Sequence, residues 1–164
     1  MHRIGIAAGL FLAATGTLAD DLKPGWSVQF HQDIFDRTIV PLAIASEEGD
    51  DFDKASLGAV CSQEGDVIIF FQPRRFMFFE TSAKLALRSG DTVAEYDFVA
   101  EKIPAFGSLL AVDSDRSQKI MTLFADADGA DIAFRTEDKN GLISSIGAGR
   151  SFEIVKTDCP GPAG

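Results

Sequence analysis

The chain has 164 residues with 15 Lys+Arg, 25 Asp+Glu and 2 His, a formal charge of −10, and this balance argues against a nucleic-acid partner held through its phosphates. At 46% apolar and 24% charged it falls in the ordinary globular range, which excludes a disordered chain or a fibrous repeat and predicts one folded domain. Phe outnumbers the other aromatics, 14 against one Trp and one Tyr, so these side chains supply apolar bulk with few polar handles and are expected in a core.

Residues 1–19 begin with His2 and Arg3, run through the apolar stretch Ile4–Ala14 and end in Thr17-Leu18-Ala19 ahead of Asp20-Asp21. Basic, apolar and small residues in that order form a secretory signal peptide over 1–19, with cleavage expected after Ala19. The apolar stretch is shorter than the roughly 20 residues that span a bilayer, so no transmembrane segment is expected after cleavage. No Cys follows the small-residue site, which argues against a lipid anchor. The expected product is a single β-rich domain over 20–159 with a disordered tail over 160–164, located in the periplasm or secreted. Both cysteines, Cys61 and Cys159, lie in that product, where an oxidising compartment favours a disulfide over two thiols. They are too far apart in sequence for a C-x-x-C redox motif.

Past the leader the dominant period is two, the signature of strands. Trp26, Val28 and Phe30 alternate with Ser27, Gln29 and His31. In 38–45 Val40, Leu42 and Ile44 share one face, and Pro41, which cannot donate to a ladder, suggests an edge. Residues 56–62 and 67–72 flank the turn Gln63-Glu64-Gly65-Asp66, and Val67–Phe71 is apolar on both faces, as a central strand is. In 83–88 Leu85 and Leu87 point inward, Ser89-Gly90-Asp91 turns the chain, and 92–99 alternates again. Residues 115–127 then place Ile120, Leu123, Phe124 and Ala127 at helical spacing behind a cap at Ser114 or Asp115. A turn at Asp128-Gly129 returns the chain to a strand over 130–136, and Asn140-Gly141 breaks it. Residues 150–159 fit a short helix capped by Ser151, the favoured reading, and also fit a strand. The predicted class is mainly β, an antiparallel β-sandwich-like domain with one or two short helices and one disulfide.

A Trp-bearing strand, the run Leu57–Ser62 (LGAVCS), the turn Glu64-Gly65-Asp66, the hairpin Lys84–Asp91 (KLALRSGD), a helix, the strand Ala130–Thr136 (ADIAFRT) and a late Cys follow in order. This arrangement resembles the small exported bacterial β-domains grouped around invasion-associated locus B proteins and the VasI-like accessories of type VI secretion. The resemblance rests on element order and cysteine placement over about residues 26–159, and the aromatic stretch 70–79 has no counterpart in it. It implies an exported, non-catalytic accessory or binding domain and transfers no catalytic residues.

Candidate sites are few. Asp126, Asp128 and Asp131 surround Gly129 and offer the oxygens that calcium prefers, but the spacing fails the EF-hand loop, and solvated carboxylates on a turn are the simpler expectation. Glu47, Glu48, Asp50, Asp51 and Asp53 read as a mobile acidic loop. His31, beside Asp33 and Asp36, is the sole imidazole past the leader; no Ser sits in a G-x-S-x-G elbow, and His31 is expected on a polar strand face. Thr81 and Lys84 have the spacing of an acyl-transfer pair but fall on a strand. Arg74 and Arg75, adjacent cations in an acidic chain, precede Phe76, Met77, Phe78 and Phe79. Four large apolar residues in a row cannot all face one core from one strand. Either both faces are buried, or this segment is an apolar contact patch rimmed by cations, suited to a partner protein or an envelope surface. No cofactor is expected. The reading is therefore an exported, non-catalytic binding or accessory module of the bacterial cell envelope, with a carboxylate-based hydrolase of envelope polysaccharide as the alternative.

Overall fold

Alternation of apolar and polar side chains along the chain produces nine strands, and the computed structural model describes residues 25–33, 37–49, 53–73 and 81–159. The expected leader and tail lie outside them. The strands are β1 (Ser27–Gln32), β2 (Ile39–Ser46), β3 (Ser56–Cys61), β4 (Val67–Gln72), β5 (Ser82–Ser89), β6 (Thr92–Ile103), β7 (Gly107–Ala111), β8 (Asp131–Arg135) and β9 (Asn140–Ser144). Helix α1 (Ser114–Asp126) lies between β7 and β8, and α2 (Ala148–Asp158) closes the chain. All nine strands form one antiparallel sheet in the order β1-β2-β3-β4-β7-β6-β5-β8-β9. The fold is mainly β and antiparallel, with two helices and one disulfide.

The sheet has two halves joined by a short seam, because β4 meets β7 only at Phe70 opposite Ala111 and Phe71 opposite Leu110. The halves bend toward each other there. Phe71 of β4 and Phe134 of β8, with three strands between them in the sheet order, bring their ring centroids within 6.4 Å across the core. At the far side Glu48 N–H donates to Leu142 O at 3.0 Å, so the chain after β2 rests against β9.

Side chains of β4 divide by parity. Val67, Ile69 and Phe71 enter the main core with Leu57, Leu85, Leu87, Phe98, Ile132 and Ile143. Ile68 and Phe70 enter a smaller cluster with Val60, Ile103 and Ala111, to which Phe106 and Leu109 of the β6–β7 hairpin add their bulk. The Phe70 ring lies so close over Gly58 that a Cβ there would sit 2.2 Å from it, which explains a glycine in mid-strand.

The helices cover the main core. Ile120 and Phe124 of α1 and Phe152 and Val155 of α2 are buried. Trp26 seats its indole edge-on between Phe124 (5.2 Å) and Phe152 (4.6 Å), linking the start of β1 to both helices. Cys61, the last residue of β3, is bonded to Cys159 at the end of α2, with an S–S distance of 2.11 Å and 98 residues between them. In the loop-entropy account a bridge of that span restricts the unfolded chain by about 4–5 kcal/mol. Where β4 runs past the end of β7, a helix side chain completes its ladder. The Ile69 N–H donates to Ser117 Oγ at 2.8 Å, and that hydroxyl donates to Val112 O at 3.2 Å.

Several local expectations change. Of Val40, Leu42 and Ile44 only Val40 joins the main core; Leu42 and Ile44 pack on the smaller cluster, and Ala43 and Ala45 carry the rest of β2 into the main core. Small residues are needed there because α2 lies against β2. Pro41 is not on an edge strand, since β2 has β1 and β3 on its two sides. It is tolerated because the β3 ladder stops at Leu42 opposite Val60, one residue short of it. Phe30 is 59% exposed and is no core residue. The cap of α1 is Asp113, whose carboxylate accepts from Arg116 N at 2.8 Å. That backbone hydrogen bond, with the Arg116 charge beside it, holds the Asp113 carboxyl below its ordinary value. Residues 150–159 are helical through Asp158, starting after Gly147 rather than Ser151. Gly147 has φ +75°, and a Cβ on it would stand 3.2 Å from Trp26 O. Asn140-Gly141 opens β9 instead of breaking the sheet, with Asn140 paired to Arg135. Strand β7 has no counterpart in the periodicity reading.

Replacing Ser117 by Ala leaves the buried Ile69 N–H without its acceptor and is expected to cost about 1–3 kcal/mol in denaturant unfolding. Thr122→Ala, on the exposed side of the same helix, is the control and should stay within about 0.5 kcal/mol of the parent. Equal effects from the two would show that the hydroxyl does not hold β4 to α1.

Candidate functional site

The cation-aromatic segment Arg74, Arg75, Phe76, Met77, Phe78 and Phe79 lies outside the described residues. Its two flanks are fixed. β4 ends at Gln72 with Phe71 fully buried behind it, and the chain resumes at Thr81, whose carbonyl accepts from Ala100 N at 2.9 Å. The segment therefore connects β4 to β5, strands separated in the sheet by β7 and β6.

Residues considered for nucleophilic chemistry serve the framework. His31 is exposed on β1 with its ring 5.1 Å from Phe106. Three buried hydroxyls act as backbone acceptors: Ser117 for Ile69 N, Ser144 for Ile146 N at 3.2 Å, Ser145 for Gly129 N at 2.8 Å. Lys84 is exposed on β5 with its ammonium 3.8 Å from Asp97, and exposed Thr81 precedes the strand. Both cysteines are bridged. Burial of the Tyr96 phenol on the core side of β6 raises its pKa, so the group is neutral at physiological pH.

The three aspartates of the helix-to-strand turn are held apart by their elements. Asp126 ends α1, Asp128 takes the left-handed turn at φ 45°, and Asp131 begins β8. The amides of the turn bond to Ser145 Oγ and Ala127 O. Among the described residues no three His, Cys, Asp or Glu side chains converge to hold a metal ion. The acidic run after β2 departs further from expectation. Asp50 and Asp51 are outside the described residues, but Glu47 is anchored rather than mobile: its carboxylate meets Lys139 Nζ at 2.6 Å and accepts from Ala55 N at 3.1 Å. Lys139 Nζ also donates to Asp53 O. Both charges are shielded, with side-chain exposures of 13% for Glu47 and 22% for Lys139. The pair ties the β8–β9 loop to the β2–β3 connection, a structural task.

What the side chains do build is a groove of about 390 Å³ between α1, α2 and the β3–β4 turn. Val67, Met121 and Phe152 form its apolar floor, and Gln118, Glu153 and Lys156 stand on its rim. The helices present these residues because each turns an apolar stripe inward, and the bridge from Cys159 to Cys61 pins the end of α2 near the β3–β4 turn. An apolar floor with a few polar groups on the rim suits a small or extended ligand. Sequence reasoning missed this groove, since its two walls lie about thirty residues apart and meet only through the sheet. Its signals in the sequence were the helical spacing of Ile120 and Phe124 in 115–127 and the helix-compatible stretch 150–159 with Phe152. No helix among the described residues is long and apolar enough to cross a membrane.

No family model, no curated protein and no solved structure matches this chain.

Because ligand binding to the native state raises stability with the logarithm of concentration over affinity, millimolar calcium is expected to leave the melting temperature unchanged. A rise of several degrees, lost on Asp128→Ala, would show that the turn carboxylates do converge on the ion.

Proposed function

We propose that this protein is an exported, non-catalytic binding or accessory module of the bacterial cell envelope, which contacts a partner protein or envelope surface through Arg74–Phe79. The observation that carries the reading is the disulfide between Cys61 and Cys159, a bond that persists in oxidising compartments, in a chain whose first 19 residues have the order of a signal peptide. The reading also draws on the resemblance of the sequence, in its order of predicted elements and its late cysteine, to locus B and VasI-like domains. The contact role of Arg74–Phe79 rests on its chemistry: paired cations beside four large apolar side chains in a chain of charge −10 suit an acidic, apolar-patched partner.

Intact-mass measurement of the protein recovered from a bacterial periplasm under non-reducing conditions is expected to give a chain starting at Asp20 with no alkylatable thiol. A full-length mass or two free thiols would overturn the export assignment.

The contact role has a separate test. Serine replacement of one alternating pair, Phe76 with Phe78 or Met77 with Phe79, is expected to abolish co-sedimentation with the envelope fraction while leaving the melting temperature nearly unchanged. Truncating a buried Phe costs about 3–5 kcal/mol, so unfolding by both pairs would assign the segment to the core and end the contact reading. Release of reducing sugar from envelope polysaccharide would favour the carboxylate hydrolase instead.

A further inference from the structure

The two ends of the sheet are finished differently. Strand β9 is guarded, since Leu142 O is already bonded to Glu48 N–H and the Glu47–Lys139 pair ties the preceding loop down. Among the described residues strand β1 has one strand neighbour, β2, and no strand on its other side.

Three observations fix which backbone groups face that open side. Asp33 N–H donates to Thr38 O at 2.8 Å, continuing the β1–β2 register, so odd-numbered residues of β1 turn their polar groups toward β2. Trp26 N–H points the other way, to Ile146 O at 2.8 Å. Pro41, opposite Phe30, has no N–H to offer across the ladder. Since the hydrogen-bonding direction alternates along an antiparallel strand, the N–H and C=O groups of Val28, Phe30 and Gln32 all face the open side. The strand carries none of the side chains that protect an edge: Ser27–Gln32 contains no Lys, Arg, Asp, Glu or Pro. Phe30 and Ile39 are 59% and 60% exposed. They stand on the same face of the β1–β2 ladder, because Phe30 pairs with Pro41 and Gln32 with Ile39.

We infer that β1 pairs antiparallel with β1 of a second copy of this chain, about a two-fold axis at Phe30, joining the two sheets into one. The register follows from the flanks. Sliding two residues toward the N-terminus would require Trp26 N–H, already given to Ile146 O, and sliding the other way runs into the turn closed by Arg37 N–H on Asp33 O at 2.9 Å. Centred on Phe30, the pairing sets Val28 opposite Gln32 of the partner subunit and Phe30 opposite Phe30 of the partner subunit. Each of these pairs exchanges two backbone hydrogen bonds, and every outward group of the three residues is used. The two Phe30 rings lie side by side with Ile39 of each copy next to them, the apolar cross-strand arrangement that stabilises a sheet. The occupant is a second copy because a two-fold seam needs the same surface from both sides, and because this stretch holds no Asp, Glu, Lys or Arg in a chain of charge −10. Two copies meet there without opposing like charges. A seam this short buries less than a standard interface, so the dimer is concentration-dependent.

A charge swap at the axis tests this. Light scattering on the full chain should show the mass doubling with concentration, and Phe30→Lys and Phe30→Asp should each stay at the monomer mass. An equimolar mixture of the two variants should regain the doubled mass, because only a two-fold seam at Phe30 sets the Lys opposite the Asp. Wild type that remains monomeric at every attainable concentration, variants that still dimerise, or a mixture that stays monomeric would each overturn the pairing. Hydrogen exchange on unmutated protein guards against a folding defect in the variants: the amides of Val28, Phe30 and Gln32 should gain protection as concentration rises. Protection independent of concentration would mean that another segment of the same chain occupies the edge, and would overturn the proposal.

Discussion

Burial of β4 on both faces is the constraint on which the rest of the structure depends. A strand of five consecutive buried residues, Val67–Phe71, needs apolar cover on each side, and two different parts of the chain supply it. The helices and the far half of the sheet cover Val67, Ile69 and Phe71, while the end of the β6–β7 hairpin adds to the cluster around Ile68 and Phe70. Because β4 also forms the seam to β7, the bend that brings the halves together occurs at the strand both clusters share. Burying its backbone is possible only with every polar group satisfied. Where β7 falls short, Ser117 of α1 takes the Ile69 N–H.

Around that strand the structure divides its polar chemistry between framework and surface. Glu47 and Lys139 bond to each other and to the backbone, and the buried Ser117, Ser144 and Ser145 accept from backbone N–H groups. Such groups give the fold a particular shape more than they add net stability, since desolvation offsets most of the attraction in a shielded ion pair. Among the described residues, the groove between α1 and α2 and the outward backbone groups of β1 stand apart from that framework.

The hairpins β3–β4 and β5–β6 were legible because a two-residue period on each side of a Gly-containing turn leaves few alternatives. The helix over 115–127 was legible from Ile120 and Phe124 for the same kind of reason at a different period. Strand β7 was not, since Gly107–Ala111 is short and half of it is exposed. Its assignment depends on β6 and β4 offering edges for it to pair with. Asn140-Gly141 carries a turn signature yet starts β9, because the actual turn is made by Thr136 and Lys139, whose backbone groups bond across it at 2.7 Å. Phe30 shows the limit of composition: a large apolar residue on an alternating strand is core only if something covers that strand.

The amino-acid sequence by itself determined the class of the fold, the pairing of Cys61 with Cys159 and the two-sided burial of Val67–Phe71. Each follows from local periodicity or from the count of available partners. Only the tertiary structure decided which face of β2 is the inner one, that Glu47 is tied to Lys139, that two helices far apart in the chain form one groove, and that β1 has a strand on one side alone among the described residues. These are properties of strand order and of the bend at β4, and strand order is set by which elements cover which faces once the whole chain has collapsed. No stretch of sequence carries that information alone, since the free energy that selects it comes from contacts between residues distant along the chain.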